Sequence, residues 1–235
     1  MAKVFIGVGH GGNDPGACAN GLKESLMNLV MAQACNAELV RHGVQVLMSR
    51  SKEENDDLSE EIRECNAFNP DIAIDIHNNA GGGDGFEFIY SIFQDYTKGK
   101  DLRLGQLIEA EVKAIGQNSR GAKQKRDSST GRDYFGFIRE LVCPSIIVEG
   151  CFVDSNDRFI ADTEAEQKAF GVAYAKGILK YFGIPYKPVQ APVASNKGTT
   201  TYRVVTGSFK DKANAEKRVR ELKAKGFDSF IEAKK

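Results

Sequence analysis

Two rhythms alternate along the chain. Val4 to Val8, Pro70 to His77 and Pro144 to Glu149 are nearly unbroken apolar runs, the pattern of strands buried on both faces in a parallel sheet. Val44 to Met48 and Gly85 to Ser91 read as two further strands, and Tyr134 to Ile138 as a short one. Between them the apolar positions widen to helical spacing. Glu24 to His42 places Leu26, Leu29, Val30, Ala37 and Val40 on its apolar side, and Leu58 to Asn66 turns Ile62 and Cys65 inward with its charges as a solvated face. Leu102 to Ile115 shows Leu104, Leu107, Ile108 and Ile115, and Ala165 to Phe182 shows Phe170, Val172, Ala173, Ile178 and Leu179. Gly43 and Gly183 end two of these helices. Asn118 to Arg132 is a long basic loop, read as mobile surface or, where it lies over an active site, as a grip on an acidic polymer. This alternation predicts an α/β fold: an open, mostly parallel twisted sheet flanked by helices, with a small C-terminal β-α-β half-module.

The organisation changes after Gly183. Residues 184–201 hold three prolines among Ala, Ser, Gly and Thr with no apolar period, an extended linker between a domain at 1–183 and a module at 202–235. In that module Tyr202 to Phe209 reads as a strand, Lys212 to Lys225 as a helix bearing Ala215, Val219 and Leu222, and Ser229 to Ile231 as a second strand.

Composition narrows the class. Of 235 residues 41% are hydrophobic and 27% charged, as in a soluble globular protein. No apolar run approaches the ~20 residues of a membrane span, and Lys3-Val4-Phe5 follows the N-terminus without a signal-peptide pattern. The chain is therefore expected to be made and to stay in the cytoplasm unless something else releases it. Five cysteines, Cys18, Cys35, Cys65, Cys143 and Cys151, lack C-x-x-C spacing and read as reduced thiols, buried except for Cys18. The net charge is zero but unevenly placed. From Pro185 to Lys235 there are 12 Lys and Arg against 5 Asp and Glu, so this segment is +7 and residues 1–184 are −7. The basic tail calls for an anionic partner, a wall polymer or the chain's own acidic domain among them.

Candidate chemistry collects where the buried runs stop. His10 follows the first and is succeeded by Gly11 and Gly12, His77 ends the second, Glu149 ends the third, and Glu24 opens the first helix. Gly7-x-Gly9-x-x-Gly12 matches a dinucleotide fingerprint only in letters, since Asn13 to Asn20 intervene before any helix and no acid follows at the required distance. In open α/β sheets functional groups gather outside the carboxyl ends of strands, so these four residues converge on one edge. Two imidazoles and a carboxylate with one open position form a catalytic zinc ligand set, and a nearby glutamate supplies the base that amide hydrolysis needs. The absence of H-E-x-x-H excludes a zincin. Asp75 shares a face with His77 and reads either as an acceptor for its ring N–H or as a solvated carboxylate. His42, in the last turn of its helix, is a dipole-compensating residue rather than a ligand.

The motifs G-H-G-G-x-D-P-G-A, N-G-L-K-E, I-H-x-N, G-x-E, F-x-x-x-R-E and P-x-x-x-V-E-x-x-F follow one another from residue 3 to about 183. In this order they resemble the zinc-dependent N-acetylmuramoyl-L-alanine amidases of the Amidase_3 family, which are peptidoglycan hydrolases. The resemblance implies His10, Glu24 and His77 as Zn2+ ligands and Glu149 as catalytic base. The family commonly has a small polar residue where this chain has Asp75, and Ala in many members where it has Asn79. Glu140 is either a substrate-orienting residue or half of a surface salt bridge. The tail pattern Y-x-V-x-x-G-S-F with A-x-x-x-x-x-x-L-x-x-K-G-F-x-S resembles one SPOR peptidoglycan-binding repeat, of which sporulation amidases usually carry two. Peptidoglycan is thus the expected partner, without nucleic acid or membrane insertion. Lysis in sporulation or by a phage endolysin is the expected role, and a cytoplasmic zinc peptidase acting on free peptides is the alternative. One repeat of about 34 residues is too short to bury a core, so a homodimer through the tail is expected, with docking on the chain's own catalytic domain as the rival.

Overall fold

The computed structural model describes residues 1–188, 207–226 and 231. In chain order the elements are β1 (Lys3–Val8), the two-residue strands β2 (Cys18–Ala19) and β3 (Leu22–Lys23), α1 (Glu24–Arg41), β4 (Gln45–Met48), α2 (Leu58–Phe68), β5 (Ile72–Asn79) and β6 (Phe86–Tyr90). They continue with α3 (Gln94–Thr97), α4 (Lys100–Ala114), β7 (Ser119–Lys123), α5 (Gly136–Glu140), β8 (Ser145–Phe152), a 3-10 turn at Asn156–Ile160, α6 (Glu164–Tyr181) and α7 (Lys212–Ala224).

Six strands form one sheet in the order β4-β1-β5-β8-β6-β7. All neighbours run parallel except β6 and β8, which are antiparallel. The strand period of two divides the core. Val4, Ile6, Val8, Ile72, Ile74, Ile76, Ile146 and Val148 pack on the face covered by residues of α1, α4 and α6. Phe5, Ala73, Ile89 and Ile147 pack on the opposite face, with Cys65 of α2 and Phe137 and Ile138 of α5. By the same alternation Gly7, Asp75, His77 and Glu149 belong to the α2 and α5 face.

Three sequence expectations are corrected. Tyr134 to Ile138 is not a strand: Gly136–Glu140 is helix α5, whose Phe137 and Ile138 fill the second core. Residues 119–123 of the expected loop form β7, because Ser119 to Lys123 pair with the exposed edge of β6. In α1 the buried stripe runs Met27, Met31, Cys35 and Leu39, while Leu26 and Val40 are exposed. The stripe follows a spacing of four, which keeps one line of side chains against the sheet, and the flexible Met side chains carry it. Four cysteines are buried and Cys18 is exposed.

Residues 1–188 form one compact unit and 189–235 a second. In the second, α7 coincides with the expected tail helix, opened by Asp211, whose side chain accepts from Ala213 N. Most of the two expected tail strands and of the linker lies outside the described residues. Among the described residues no helix is long and apolar enough to cross a membrane.

Candidate metal centre

Each residue of the centre is delivered by a different local device. His10 lies two residues beyond β1 with φ 63, a left-handed conformation that His tolerates better than most non-glycine residues. It swings the ring back over the sheet edge. The loop closes on itself through Gly11 N to Asp14 O at 2.7 Å and Asp14 N to Gly11 O at 3.0 Å. Glu24 is the first residue of α1, where a carboxylate is favoured by the helix dipole. It is held by two backbone donors, Ala17 N at 2.9 Å and Asn78 N at 3.1 Å. His77 sits on β5 opposite Glu149 of β8 in register, so their side chains share a face on strands about 4.8 Å apart.

Glu24 bridges the imidazoles, with Oε2 3.3 Å from His10 Nε2 and Oε1 3.0 Å from His77 Nδ1. The rings meet edge-on at 4.9 Å between centroids. Atoms of His10, Glu24 and His77 that can hold a metal ion lie within 4.8 Å of one another. The other nitrogen of each ring is taken: His10 Nδ1 pairs with Asp14 Oδ2 at 2.8 Å, and His77 Nε2 with Asp75 Oδ2 at 3.2 Å. An outer carboxylate that accepts the ring N–H leaves the other nitrogen's lone pair facing inward, the tautomer a metal requires. Space is kept by glycine: a Cβ on Gly9 would lie 2.2 Å from the His77 ring, and one on Gly16 2.6 Å from Glu24 Oε2. The donor set and its room fit a divalent cation.

In the metal-free protein the same carboxylates favour the protonated rings, whose inward proton a bound cation would displace. Hydrogen bonds to Glu24 and Asp14 raise His10 above the ordinary histidine value, and the carboxylates of Asp75 and Glu24 raise His77 well above it despite burial. The two imidazoles hold the Glu24 carboxyl far below the usual range although burial opposes them. Glu149 differs: burial pushes its carboxyl up to about 7, and its Oε2 is buried with no hydrogen-bond partner. Across the sheet on the other side Glu87 faces Glu149 in the antiparallel register. Glu87 itself bonds Arg120 Nε at 2.7 Å and Asn79 Nδ2 at 3.1 Å.

Several supporting residues were not singled out from the sequence. Asp14, four residues beyond His10, could have been found as the acid of a glycine-rich loop. Arg50 is buried and donates to Val8 O, Gly9 O and Ser25 O at 3.0, 3.3 and 2.8 Å, tying the end of β1 to the start of α1. Asn28 Nδ2 adds a bond to Gly9 O at 2.9 Å. Neither residue has a sequence signal, because their partners are backbone carbonyls. Asp75 takes the acceptor role of its two readings. His42 is remote: its Nε2 accepts from Lys187 N at 2.8 Å and its ring stacks on Tyr186. Glu140 is in ion pairs with Arg139 and Arg132 at 2.7 and 3.5 Å, on the wall of a surface groove of about 660 Å³ that His10, Glu24, His77 and Glu149 do not line.

A mostly parallel sheet carrying a histidine–glutamate–histidine cluster at its edge defines an α/β protein with a candidate catalytic metal centre. The N-acetylmuramoyl-L-alanine amidase family matches residues 4–180, and the chain belongs to it as an enzyme of that class. The SPOR domain matches residues 174–232, beginning inside α6. The chain is 31% identical over 236 aligned positions to the N-acetylmuramoyl-L-alanine amidase CwlM of Bacillus licheniformis, covering 98% of this chain and 85% of the relative. It is 30% identical to the sporulation-specific N-acetylmuramoyl-L-alanine amidase of Bacillus subtilis (strain 168), covering 98% and 84%. Among solved structures, the N-acetylmuramoyl-L-alanine amidase AmiC2 of Nostoc punctiforme superposes with a TM-score of 0.68 at 25% identity, over 77% of this chain and 97% of that one.

Proposed function

We propose that this amidase cleaves the bond between N-acetylmuramic acid and L-alanine in peptidoglycan with Zn2+ held by His10, Glu24 and His77 and with Glu149 as general base. The observation that carries the reading is the inward-facing nitrogen on each imidazole, both within 3.3 Å of Glu24, beside a carboxyl on the same sheet face that lacks a partner on one oxygen. When bound, zinc supplies a Lewis acid that polarises the amide carbonyl and lowers the pKa of water to about 7. Asp14 and Asp75 keep the ring protons of His10 and His77 on their outer nitrogens. Glu149, pushed up to about 7, is poised near neutral pH to take a proton from the attacking water and return it to the departing alanine amine.

Metal content and turnover test these roles together. His10→Ala and His77→Ala should lose zinc and activity, whereas Glu149→Gln should keep zinc and lose about a hundredfold to ten-thousandfold in kcat. A Glu149→Gln protein without zinc would make Glu149 a ligand. Mass spectrometry of digested sacculi identifies the bond: new amino termini on L-alanine support the amidase, and cleavage confined to free peptides supports the peptidase alternative.

The relative that is sporulation-specific aligns with 98% of the chain, which supports action on the wall during mother-cell lysis. The SPOR match supports peptidoglycan anchoring by the tail, and a tail-mediated homodimer supplies the surface that one short module lacks. Light scattering on the full chain and on residues 1–183 separates the possibilities. A monomeric full chain at micromolar concentration sinks the dimer, and a dimer that persists without the tail moves the interface to the catalytic unit.

A further inference from the structure

Under His77 lies a pair of acids that the proposed chemistry does not use. Glu61 of α2 and Asp75 of β5 are 6% and 5% exposed. Each has a buried oxygen, Glu61 Oε1 and Asp75 Oδ1, that meets no hydrogen-bond donor. The two orphans crowd one spot, since a Cβ on Gly7 would lie 2.2 Å from Glu61 Oε1 and 2.7 Å from Asp75 Oδ1. Gly7 is the register partner of Asp75, so the glycine opens the space across which the two acids face each other.

Two bare carboxylates there would repel, and each would forfeit a bond it had in water. A single proton between them satisfies both orphans. Asp75 is the acceptor, because its Oδ2 already receives the Nε2–H of His77 at 3.2 Å. Among the described residues the two cationic groups that act on Glu61, His77 and Arg50, bond elsewhere, His77 to Glu24 and Asp75. Arg50 donates to Val8, Gly9, Ser25 and Lys52 carbonyls and to Glu53. Asp56, the other acid acting on Glu61, is bonded to Ser49 Oγ at 2.5 Å. Burial, with Asp75 and Asp56 adding to it, holds the Glu61 carboxyl well above the usual range.

We propose that Glu61 is a positioning residue whose neutral carboxyl donates a hydrogen bond to Asp75, which in turn holds the His77 ring with Nδ1 facing Glu24 and the metal. This rests on the metal centre proposed above. The contact fixes Asp75 from behind, so that its other oxygen stays aligned with the imidazole N–H. Outer partners of metal-bound histidines of this kind are worth about 10- to 100-fold in metal affinity.

Zinc affinity of the full chain, measured by competition with a chromophoric chelator, tests it in wild type, Glu61→Gln and Glu61→Leu. The amide of Glu61→Gln keeps a donor, so its affinity should stay within about threefold of wild type, whereas Glu61→Leu should fall about 10-fold, the low end of what a direct outer partner is worth. Wild type at pH 7 should show an infrared carbonyl band of protonated carboxylic acid that Glu61→Gln diminishes; because Glu149 adds to it, the band that remains in Glu149→Gln should vanish when Glu61→Gln is added. A folded Glu61→Leu with wild-type affinity, or a Glu149→Gln protein without the acid band, overturns the proposal. If Glu61→Leu does not fold, the band and the affinity of Glu61→Gln decide, and a Glu61→Gln that loses zinc as His77→Ala does overturns it. Failure of the metal centre reads differently: wild type itself would take up no zinc, and the role falls with the centre.

Discussion

His10 and His77 present the same ring to the same carboxylate from opposite surroundings. His10 is carried by a glycine loop, and its outer partner Asp14 has a side chain 69% exposed. His77 is carried by a central strand, and the side chain of its partner Asp75 is 7% exposed, with Glu61 behind it. Water can replace part of what Asp14 does, because an exposed pair is screened and its partner resolvated. Water is a poorer substitute for Asp75, since the shielded acid leaves its site little open to solvent and a ring N–H that loses its acceptor there pays for it. One half of the centre is therefore adaptable and the other preorganised.

The largest expected effect attacks the rigid half. Gly9→Ala places a methyl 2.2 Å from the His77 ring, and overpacking at a site that cannot yield costs about 1–3 kcal/mol. Zinc uptake by this variant, followed by metal analysis, should fall below that of Gly16→Ala, which strains the loop at φ 63 and meets Glu24 Oε2 at 2.6 Å and the His10 ring at 2.7 Å, where the exposed loop can yield. Equal losses would erase the proposed contrast.

Next come the outer acids themselves. Asp75→Asn should weaken zinc binding about 10- to 100-fold and Asp14→Asn by less than about tenfold. Chelator competition in low salt ranks them, and a reversed order breaks the comparison.

The metal-free protein carries a smaller signature in pH. His10 and His77 are raised above 6.5, so the stability they contribute is fully present below that value and is lost as pH rises through their folded values. Glu149 acts in the same direction: with its carboxyl at about 7 against 4.5 unfolded, the folded state holds the extra proton and stability falls from pH 4.5 to 7. Glu24 is depressed, and its contribution is present above 4.5 and lost as pH falls. Urea midpoints of the metal-free chain should therefore decline from about pH 5 to pH 8. His77→Ala should flatten that decline more than His10→Ala.

The smallest effect is ionic. Raising salt from 0.1 M to 1 M shortens screening from about 10 Å to about 3 Å, which should draw the zinc affinities of wild type and Asp14→Asn together while leaving the deficit of Asp75→Asn in place. Parallel salt responses in both variants would mean that exposure does not distinguish the two acids.

Much of this site is legible in the letters because strand ends are. Buried parallel strands need long apolar runs, and a histidine or glutamate that terminates one stands out, as His10, His77 and Glu149 do. Glu61 does not stand out. Its helix shows Glu60, Glu61, Arg63 and Glu64 in one stretch, which reads as a solvated face, yet Glu61 is buried against Asp75 while Glu60 pairs with Arg63 at the surface. Which charge turns inward depends on where α2 lands on the sheet, and no local pattern encodes that.

The sequence by itself determined the α/β class, the strands that end at the centre, the helix that begins with Glu24 and the family, because these follow from short-range periodicity and from motifs read in order. Tertiary structure alone decided which side of α1 is buried, that residues 119–123 join the sheet, and that Gly7 and Gly9 open a row for Asp75, Glu61 and His77. Those outcomes depend on contacts between segments distant in the chain, where the requirement to fill space and partner every buried polar atom overrides local preference.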